Sequence, residues 1–404
     1  MSLIKRFSHV DFDDAAEILA AAEALAPSIR EAHREIEEGR RLPLWLIEEL
    51  KRAGAFRMAM PRSWGGPELD LLSQLRVIEE LSAADASVGW CVMINCDGGY
   101  FSALIDQDVA REMYRDLDAP TASSFGKPAG KAVRTDGGYR VSGRWRFSSG
   151  CQHSKWIVGG CVVYDGDKPS LSPTGVPQTR CCFMPAEQCE IIDTWYTTGL
   201  RGSGSHDFAA TDLFVPAQRT LSWQETKVLR PGPLYAFPLL FTAKAAAVPL
   251  GIARGALDAF AKTALTTAGR QFVEEGRLTP AVRMCDQPHI QIAFAQAQAA
   301  AGAARSYVYD VMGEVWSTLA SRQRLSANQI GRYWLAILSA FNGCVEAVDL
   351  LYKAGGGPSV YANGVLGRCF RDIHTISQHA IVSTRSYEVA GRSLLGLRPL
   401  EFFL

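Results

Sequence analysis

The period of the apolar residues changes twice along this chain, and that double switch constrains the fold more than any single motif. Up to about residue 118 the spacing is helical: residues 15–38 are rich in Ala, Ile, Leu and Glu, and Pro43 opens a segment that Gly54 closes. Residues 72–82 and 87–104 continue the pattern, with the Gly/Pro loop RSWGGPELD (62–70) before them. From about Thr121 the spacing becomes strand-like, with the Gly137-Gly138 turn feeding one strand and further pieces at 155–164, 180–184, 189–192 and 208–215. Past the Pro/Gly cluster at 230–233, helical stretches at 235–268, 288–319, 327–354 and 363 to about 388 predict a bundle. The expected division is therefore a helical region 1–120, a β region 121–230 and a helical region 231–404, an α+β chain.

Charge narrows the possible partners. Lys plus Arg and Asp plus Glu number 42 each, so no strong field exists to hold nucleic acid or an anionic membrane, and a small ligand is expected instead. The ten cysteines form no CxxC pair and no signal core opens the chain, which reads as a reduced, cytoplasmic protein. Apolar stretches such as 243–252 are interrupted by Lys244, Pro249 and Gly251, so no membrane span is expected. Neither HxxxH nor CxxC spacing supports a metal site, and no GxGxxG follows a strand to hold a nicotinamide.

The segment YRVSGRWRFSSGCQH (139–153) carries the strongest chemical hint. Tyr139, Val141, Trp145, Phe147 and Ser149 share one parity, and Arg140, Ser142, Arg144, Arg146 and Ser148 the other, the signature of a half-buried strand. Ser149 then ends an aromatic row on the inward face. A hydroxyl there either finds a partner in the following turn or meets a polar ligand lying against Trp145 or Phe147. Both readings stay open on spacing alone.

Four segments in order give the chain a resemblance to the acyl-CoA dehydrogenase superfamily of flavoproteins. GRWRFSSGC (143–151) resembles that family's GxKxWI[ST]NA strand, GLRGSGSHD (199–207) with DLFVP (212–216) its GxRGS loop and next strand, RQF (270–272) its RxQFG element, and KAGGGPSVYANGVLGRCFRD (353–372) its glycine loop and RD helix. The resemblance implies an N-terminal helical domain, a small central β-barrel or sandwich and a C-terminal four-helix bundle. It places Phe147 on the flavin-stacking position, Ser149 near flavin N5 and O4, and Arg270, beside Phe272, on the flavin phosphates of a neighbouring subunit, with Gly355 and Gly356 in a further cofactor-binding loop. Ser123, Ser124 and Phe125 correspond to backbone and hydroxyls along the pyrimidine edge.

The departures point to a changed reaction. The family's catalytic glutamate falls here on Ala380, nine positions after Arg371, or near Phe241, and neither is acidic. GRWxFSSGxxHxxW (143–156) is similar instead to the oxygenase components of two-component flavin monooxygenases, among them p-hydroxyphenylacetate hydroxylase, steroid-ring hydroxylases and dibenzothiophene monooxygenase. That branch carries a histidine eight positions after the arginine, which is His379. The resemblance then implies reduced FMN or FAD from a separate reductase, oxygen as co-substrate, a flavin C4a-hydroperoxide, and hydroxylation of a small aromatic, heteroaromatic or amine substrate with His379 as acid or base. It also implies a homotetramer, a dimer of dimers. An acyl-CoA dehydrogenase or oxidase with a relocated base is the alternative.

Each residue also has a plainer reading. On a helix over 370–384, Phe370, Ile373, Ile376, Ala380 and Ile381 form a stripe with His379 at its edge, where histidines are commonly solvated. His153 serves either as a loop histidine or as a wall of the flavin pocket, and Trp90 either as core or as the roof of the cavity. Arg270 could instead pair with Glu274 at i+4. His374 reads as structural, and His206 with Asp207 as a turn stabiliser.

Overall fold

The computed structural model describes residues 15–223, 225, 227–267, 273–274, 277–278 and 282–397. Its first region is helical: α1 (Ala15–Glu31), α2 (His33–Gly39), α3 (Leu44–Arg52), α4 (Leu71–Ala84), α5 (Ala86–Asn95), α6 (Gly98–Phe101) and α7 (Gln107–Met113). Asp70, Asp85 and Asp106 begin α4, α5 and α7 by accepting backbone N–H groups that have no partner within the helix. The helix expected over 15–38 is split at Ala32, and that over 87–104 at Cys96 and Asp97. At the second break Asp97 turns inward to meet the fully buried Lys244 at 2.5 Å.

The middle of the chain forms β1 (Thr121–Ser124), β2 (Gly130–Thr135), β3 (Gly138–Ser148), β4 (Trp156–Asp165), β5 (Lys168–Pro169), β6 (Thr179–Pro185), β7 (Glu190–Ile192), β8 (His206–Pro216) and β9 (Thr220–Leu221). These described strands make one sheet in the order β7-β8-β3-β2-β4-β6-β9, with β1 and β5 paired to β4. β3 and β8 run antiparallel, so Tyr139 faces Val215 and Trp145 faces Phe208. One side of the sheet buries Ala132, Tyr139, Val141, Trp145 and Phe208, and Trp156, Val158 and Phe183 pack with Phe101 and Tyr114 of the helical region. The β region is thereby tied to the helices that precede it.

The last region holds α8 (Ala247–Thr266), α9 (Pro288–Ala320), α10 (Ala327–Gly355), α11 (Val365–Ile376) and α12 (Thr384–Leu394). Pro288 opens α9 at a position that needs no N–H, and Ser326 with Gln329 closes a capping box at the start of α10. Two helical stretches, Leu240–Thr266 and Ala327–Gly355, are long and apolar enough to cross a membrane, contrary to the expectation of only short apolar runs. Both are packed helices of the bundle. The larger part of each apolar window is covered by other helices.

The single helix expected over 363–388 is also corrected. It ends at Ile376, and a short 3-10 turn, Ala380–Val382, separates α11 from α12. Thr375 and Ser377 return their hydroxyls to the carbonyls of Arg371 and His374, a local bonding that competes with helix continuation.

Candidate functional site

Three elements meet around Ser149: the end of β3, the C-terminal half of α5, and the connector between α11 and α12. The strand obeys its alternation only through Trp145. From Trp145 to Ser148 there are three steps, opposed on β8 by two steps from Phe208 to His206, so β3 carries one extra residue. Phe147 absorbs it with φ of 63°, and its ring turns outward, 66% exposed. Ser148 takes the buried side instead. Phe147 and Trp145 thus do not share a face, as the alternation had suggested.

Trp145 is fully buried, stacked on Phe208 at 4.7 Å, with its indole N–H given to the Gly160 carbonyl at 2.7 Å. It belongs to the sheet core and lines no cofactor site. The expectation of a cofactor or other ligand lying against Trp145 is corrected on that ground, because its ring is buried in the sheet core.

Ser149 is buried in the turn after β3 rather than on the strand. Its Oγ accepts from Trp90 Nε1 at 2.9 Å and lies 2.8 Å from Ser205 Oγ, which in turn lies 2.7 Å from Ser203 Oγ. The Ser149 carbonyl accepts from Asn95 Nδ2 at 3.1 Å. Gly150 continues the turn at φ of 72°, and a Cβ there would sit 2.2 Å from Asn95 Oδ1, so only glycine lets the turn approach α5.

His379 is the N-cap of the Ala380–Val382 turn, in extended backbone, and its Nδ1 accepts the Ile381 N–H at 3.3 Å. Its ring packs edge-on against Trp90 with centroids 5.2 Å apart. The residue keeps more than a third of its surface open, yet desolvation alone pushes the imidazole down to about 4. The ring is thus open to solvent on one side and packed on Trp90 on the other. At neutral pH it is uncharged, with Nε2 facing no described partner among the hydrogen bonds and ion pairs.

His153 stands behind this wall. Its Nε2 lies 2.9 Å from Asn95 Oδ1, and burial pushes the imidazole down to about 3. Because Asn95 spends its N–H groups on the Thr121 and Ser149 carbonyls, its Oδ1 must accept, which makes His153 the Nε2–H tautomer. His153 therefore braces the turn through Asn95.

A second wall comes from residues 194–205. Trp195 lies edge-on to Phe147 at 6.2 Å, and its indole donates to the Leu200 carbonyl at 2.8 Å. His206 Nδ1 accepts the N–H groups of Thr194 and Trp195 at 3.1 and 3.2 Å, the turn-holding part expected of it. The loop is clamped to α11: Leu200 N–H donates to Asp372 at 2.7 Å, Arg371 reaches the Thr198 carbonyl, and a Cβ on Gly199 would lie 2.2 Å from the Arg371 carbonyl. Burial pushes the Asp372 carboxyl up to about 7.

The remaining expected residues are spread around this centre. Ser124 gives its hydroxyl to the Arg146 carbonyl at 2.6 Å, tying β1 to the end of β3, with Ser123 half-buried beside it. Phe125 joins an aromatic group with Phe101, Trp223 and Phe241, at centroid distances of 5.6 to 6.3 Å. Gly355 ends α10, and Gly356, at φ of 62°, opens an exposed loop whose Val360 and Tyr361 are each 67% exposed. Arg270 and Phe272 lie outside the described residues. His374 pairs with Asp349 at 2.8 Å on the outer side of α11. There an open groove of about 570 Å³, between α10 and the connector, shares no residue with the Trp90, Ser149 and His379 cluster.

Sequence reasoning missed Asn95, Ser203, Ser205, Trp195 and Asp372 as parts of the site. The loop motif 199–207 had flagged the segment that holds the two serines, but not their contact with Ser149. One observation fits a flat group beside this turn. An exposed aromatic ring is held in a left-handed backbone conformation at Phe147. The buried hydroxyls of Ser148, on the inner side of β3, and of Ser359 have no hydrogen-bond partner among the described residues.

Comparison with known proteins gives the family of the whole chain. The model of the acyl-CoA dehydrogenase N-terminal domain matches residues 9–107, and that of the C-terminal domain residues 243–384. An indole-3-acetate monooxygenase of Acinetobacter baumannii is 31% identical over 89% of both chains. The oxygenase component of an FADH2-dependent resorcinol hydroxylase from Rhizobium sp. is 28% identical over 93% of both. The crystal structure of the HsaA monooxygenase from M. tuberculosis superposes with a TM-score of 0.86 at 28% identity, covering 97% of this chain and 100% of that one.

Proposed function

Since the chain belongs to the acyl-CoA dehydrogenase family, and its relatives there are flavin-dependent monooxygenases, we propose that it is the oxygenase component of a two-component system. It takes reduced FMN or FAD from a separate reductase and uses oxygen to hydroxylate a small aromatic, heteroaromatic or amine substrate. The observation that carries this reading is the His379 ring packed on Trp90, whose indole holds the Ser149 hydroxyl, with Ala380 and Phe241 standing where a dehydrogenase needs a carboxylate.

Bound reduced flavin supplies two electrons and activates oxygen, one atom of which goes to the substrate and the other to water. The exposed ring of Phe147, with Trp195 edge-on beside it, would offer an apolar surface to the ring system. Ser149 offers a hydroxyl to its polar edge, and Trp90 fills the space between that hydroxyl and His379. Trp90 and Ser149, both buried, keep water from that edge. His379 is the acid or base of this reading: its Nδ1 accepts the Ile381 N–H, so the neutral ring carries its proton on Nε2 and takes one from a phenol, indole or amine only at Nδ1, by giving up that backbone contact. The aromatic group around Phe125 and Phe241 favours a planar apolar substrate. The oxygenase assembles in this reading as a tetramer of paired dimers.

The test is anaerobic titration with reduced FMN and reduced FAD, followed by oxygen and a panel of small phenols, indoles and aryl amines. Hydroxylated product formed only when reduced flavin is supplied from outside supports the reading. Bleaching of the oxidised flavoprotein by acyl-CoA thioesters, with no reductase present, returns the dehydrogenase alternative.

A further inference from the structure

Three elements that build the site also meet in a buried charge cluster. Asp85 caps α5, Arg368 and Asp372 lie on α11, and the loop 194–205 enters through Leu200. Asp85, Arg368 and Asp372 are 3%, 6% and 4% exposed. Arg368 Nε lies 4.0 Å from Asp85 Oδ2, whereas Arg371 pairs with Glu37 of α2 at 2.9 Å. The charged residues of the neighbouring elements are engaged elsewhere: Arg201 of the loop donates to the Glu37 carbonyl, Lys244 and Arg254 pair with Asp97 and Glu80, and His374 pairs with Asp349 of α10. The buried Cys369 thiol, pushed up to about 12, stays neutral. Two buried carboxylates therefore share one guanidinium, and ionising both of them away from water is costly.

The proton that relieves this cluster falls on Asp372. Asp85 accepts the Ser87 and Val88 N–H groups at the start of α5, where a carboxylate is favoured. Asp372 sits near the end of α11 and accepts one N–H, from Leu200 at 2.7 Å. Burial first, and Asp85 second, push its carboxyl up to about 7, with the Leu200 N–H pulling more weakly the other way. Leu200 is itself left-handed at φ of 49°, a costly conformation for a side chain with a Cβ. It is held from both sides, its N–H by Asp372 and its carbonyl by the Trp195 indole at 2.8 Å. Contacts thus run from Asp372 through Leu200 and Trp195 to Phe147.

We propose that Asp372 is a positioning residue: through Leu200 it sets Trp195 beside Phe147, it holds that place best as the protonated acid, and its ionisation slackens the loop. Opening the loop admits water and returns the carboxyl towards its ordinary range, so the closed loop binds the proton more tightly than the open one. Closure is therefore strongest near the ordinary carboxylate value of about 4, weakens as the pH rises from there, and levels off above about 7. That a ligand then rests against Phe147 depends on the flavin reading, which this deepens; the response of the loop to pH does not.

The experiment is hydrogen exchange of peptides spanning 194–205 in the flavin-free protein at about pH 5 and about pH 8, corrected for the intrinsic exchange rate, in wild type, Asp372→Asn and Asp372→Ala. Wild type is expected to lose about tenfold in protection at the higher pH, within the limit of tenfold per unit that one linked proton sets. Asp372→Asn keeps an acceptor for the Leu200 N–H but cannot ionise, so its loop stays protected at both values. Asp372→Ala, with no acceptor, loses protection at both. The Kd for oxidised FAD rises with the loss of protection in wild type and holds steady in Asp372→Asn. Equal protection of wild type at both values, or an Asn variant that answers pH as wild type does, overturns the inference whether or not flavin binds. A wild-type loop that follows pH in a protein binding no FAD supports the role of Asp372 and removes the flavin reading. If Asp372→Asn melts below the assay temperature, wild type alone decides by the presence or absence of the tenfold change.

Discussion

The two halves of β3 solve opposite problems. From Tyr139 to Trp145 the strand keeps strict alternation, buries every second side chain and supplies the centre of the sheet core. From Phe147 to Ser149 it gives up alternation: one extra residue, a left-handed phenylalanine and a buried serine turn replace the ladder. The first half spends its aromatic ring on stability. The second leaves a comparable ring 66% exposed and a hydroxyl held in a network, the arrangement expected where a binding site is built at a cost to local structure.

That contrast predicts substitutions with different readouts. Trp145→Ala removes a fully buried ring and one hydrogen bond, and should lower unfolding free energy by about 3–5 kcal/mol in urea melts; a loss below 1 kcal/mol would mean that the strand core is not where stability resides. His379→Ala should leave flavin affinity near wild type and cost about 1 kcal/mol of stability through the lost cap, while product formation falls ~10²-fold or more. Unchanged coupling of oxygen use to product would remove the imidazole from the chemistry. Phe147→Gly relieves the left-handed backbone, so its melting temperature should hold or rise, while reduced-flavin affinity falls by about tenfold. A drop in stability with unaltered affinity would show that the ring packs rather than binds.

The smallest effect concerns pH. His379 has a folded value near 4, below its ordinary value, so between about 6.5 and 4 the unfolded chain binds more protons than the folded one. Its contribution to stability is complete above pH 6.5 and declines as the pH falls through that window. His379→Gln should therefore lose less stability than wild type between pH 7 and pH 5 in matched urea melts. NMR titration of the imidazole in the flavin-free protein should place its midpoint near 4; a midpoint above 6 would put the ring in solvent.

How much of this could be read from residues alone follows from the range of the forces involved. The α, β, α order, the start of α9 at Pro288, the start of α10 at Ser326 and the strand pattern through Trp145 are local: each depends on period, a cap or a proline within a few residues. The motif spacings that led to Phe147, Ser149 and His379 were legible for the same reason, as fixed distances along the chain. Boundaries were less so. The breaks at Ala32, Cys96 and Ile376 lie inside stretches of sound helical composition.

What the amino-acid order determined by itself was thus the sequence of elements, the family likeness and the absence of a carboxylate at the two positions that a dehydrogenase needs. Tertiary structure alone decided which way Phe147 faces, that His379 caps a break instead of riding a helix, and that Asn95, Ser203 and Ser205 converge on one turn from segments 54 and 56 residues away from Ser149. A period-2 or period-3.6 rule describes a chain against its own neighbours. A bulge, a cap and a shared proton are set by what a partner element leaves room for and which donors it leaves unpaired, and those conditions exist only once distant segments have packed.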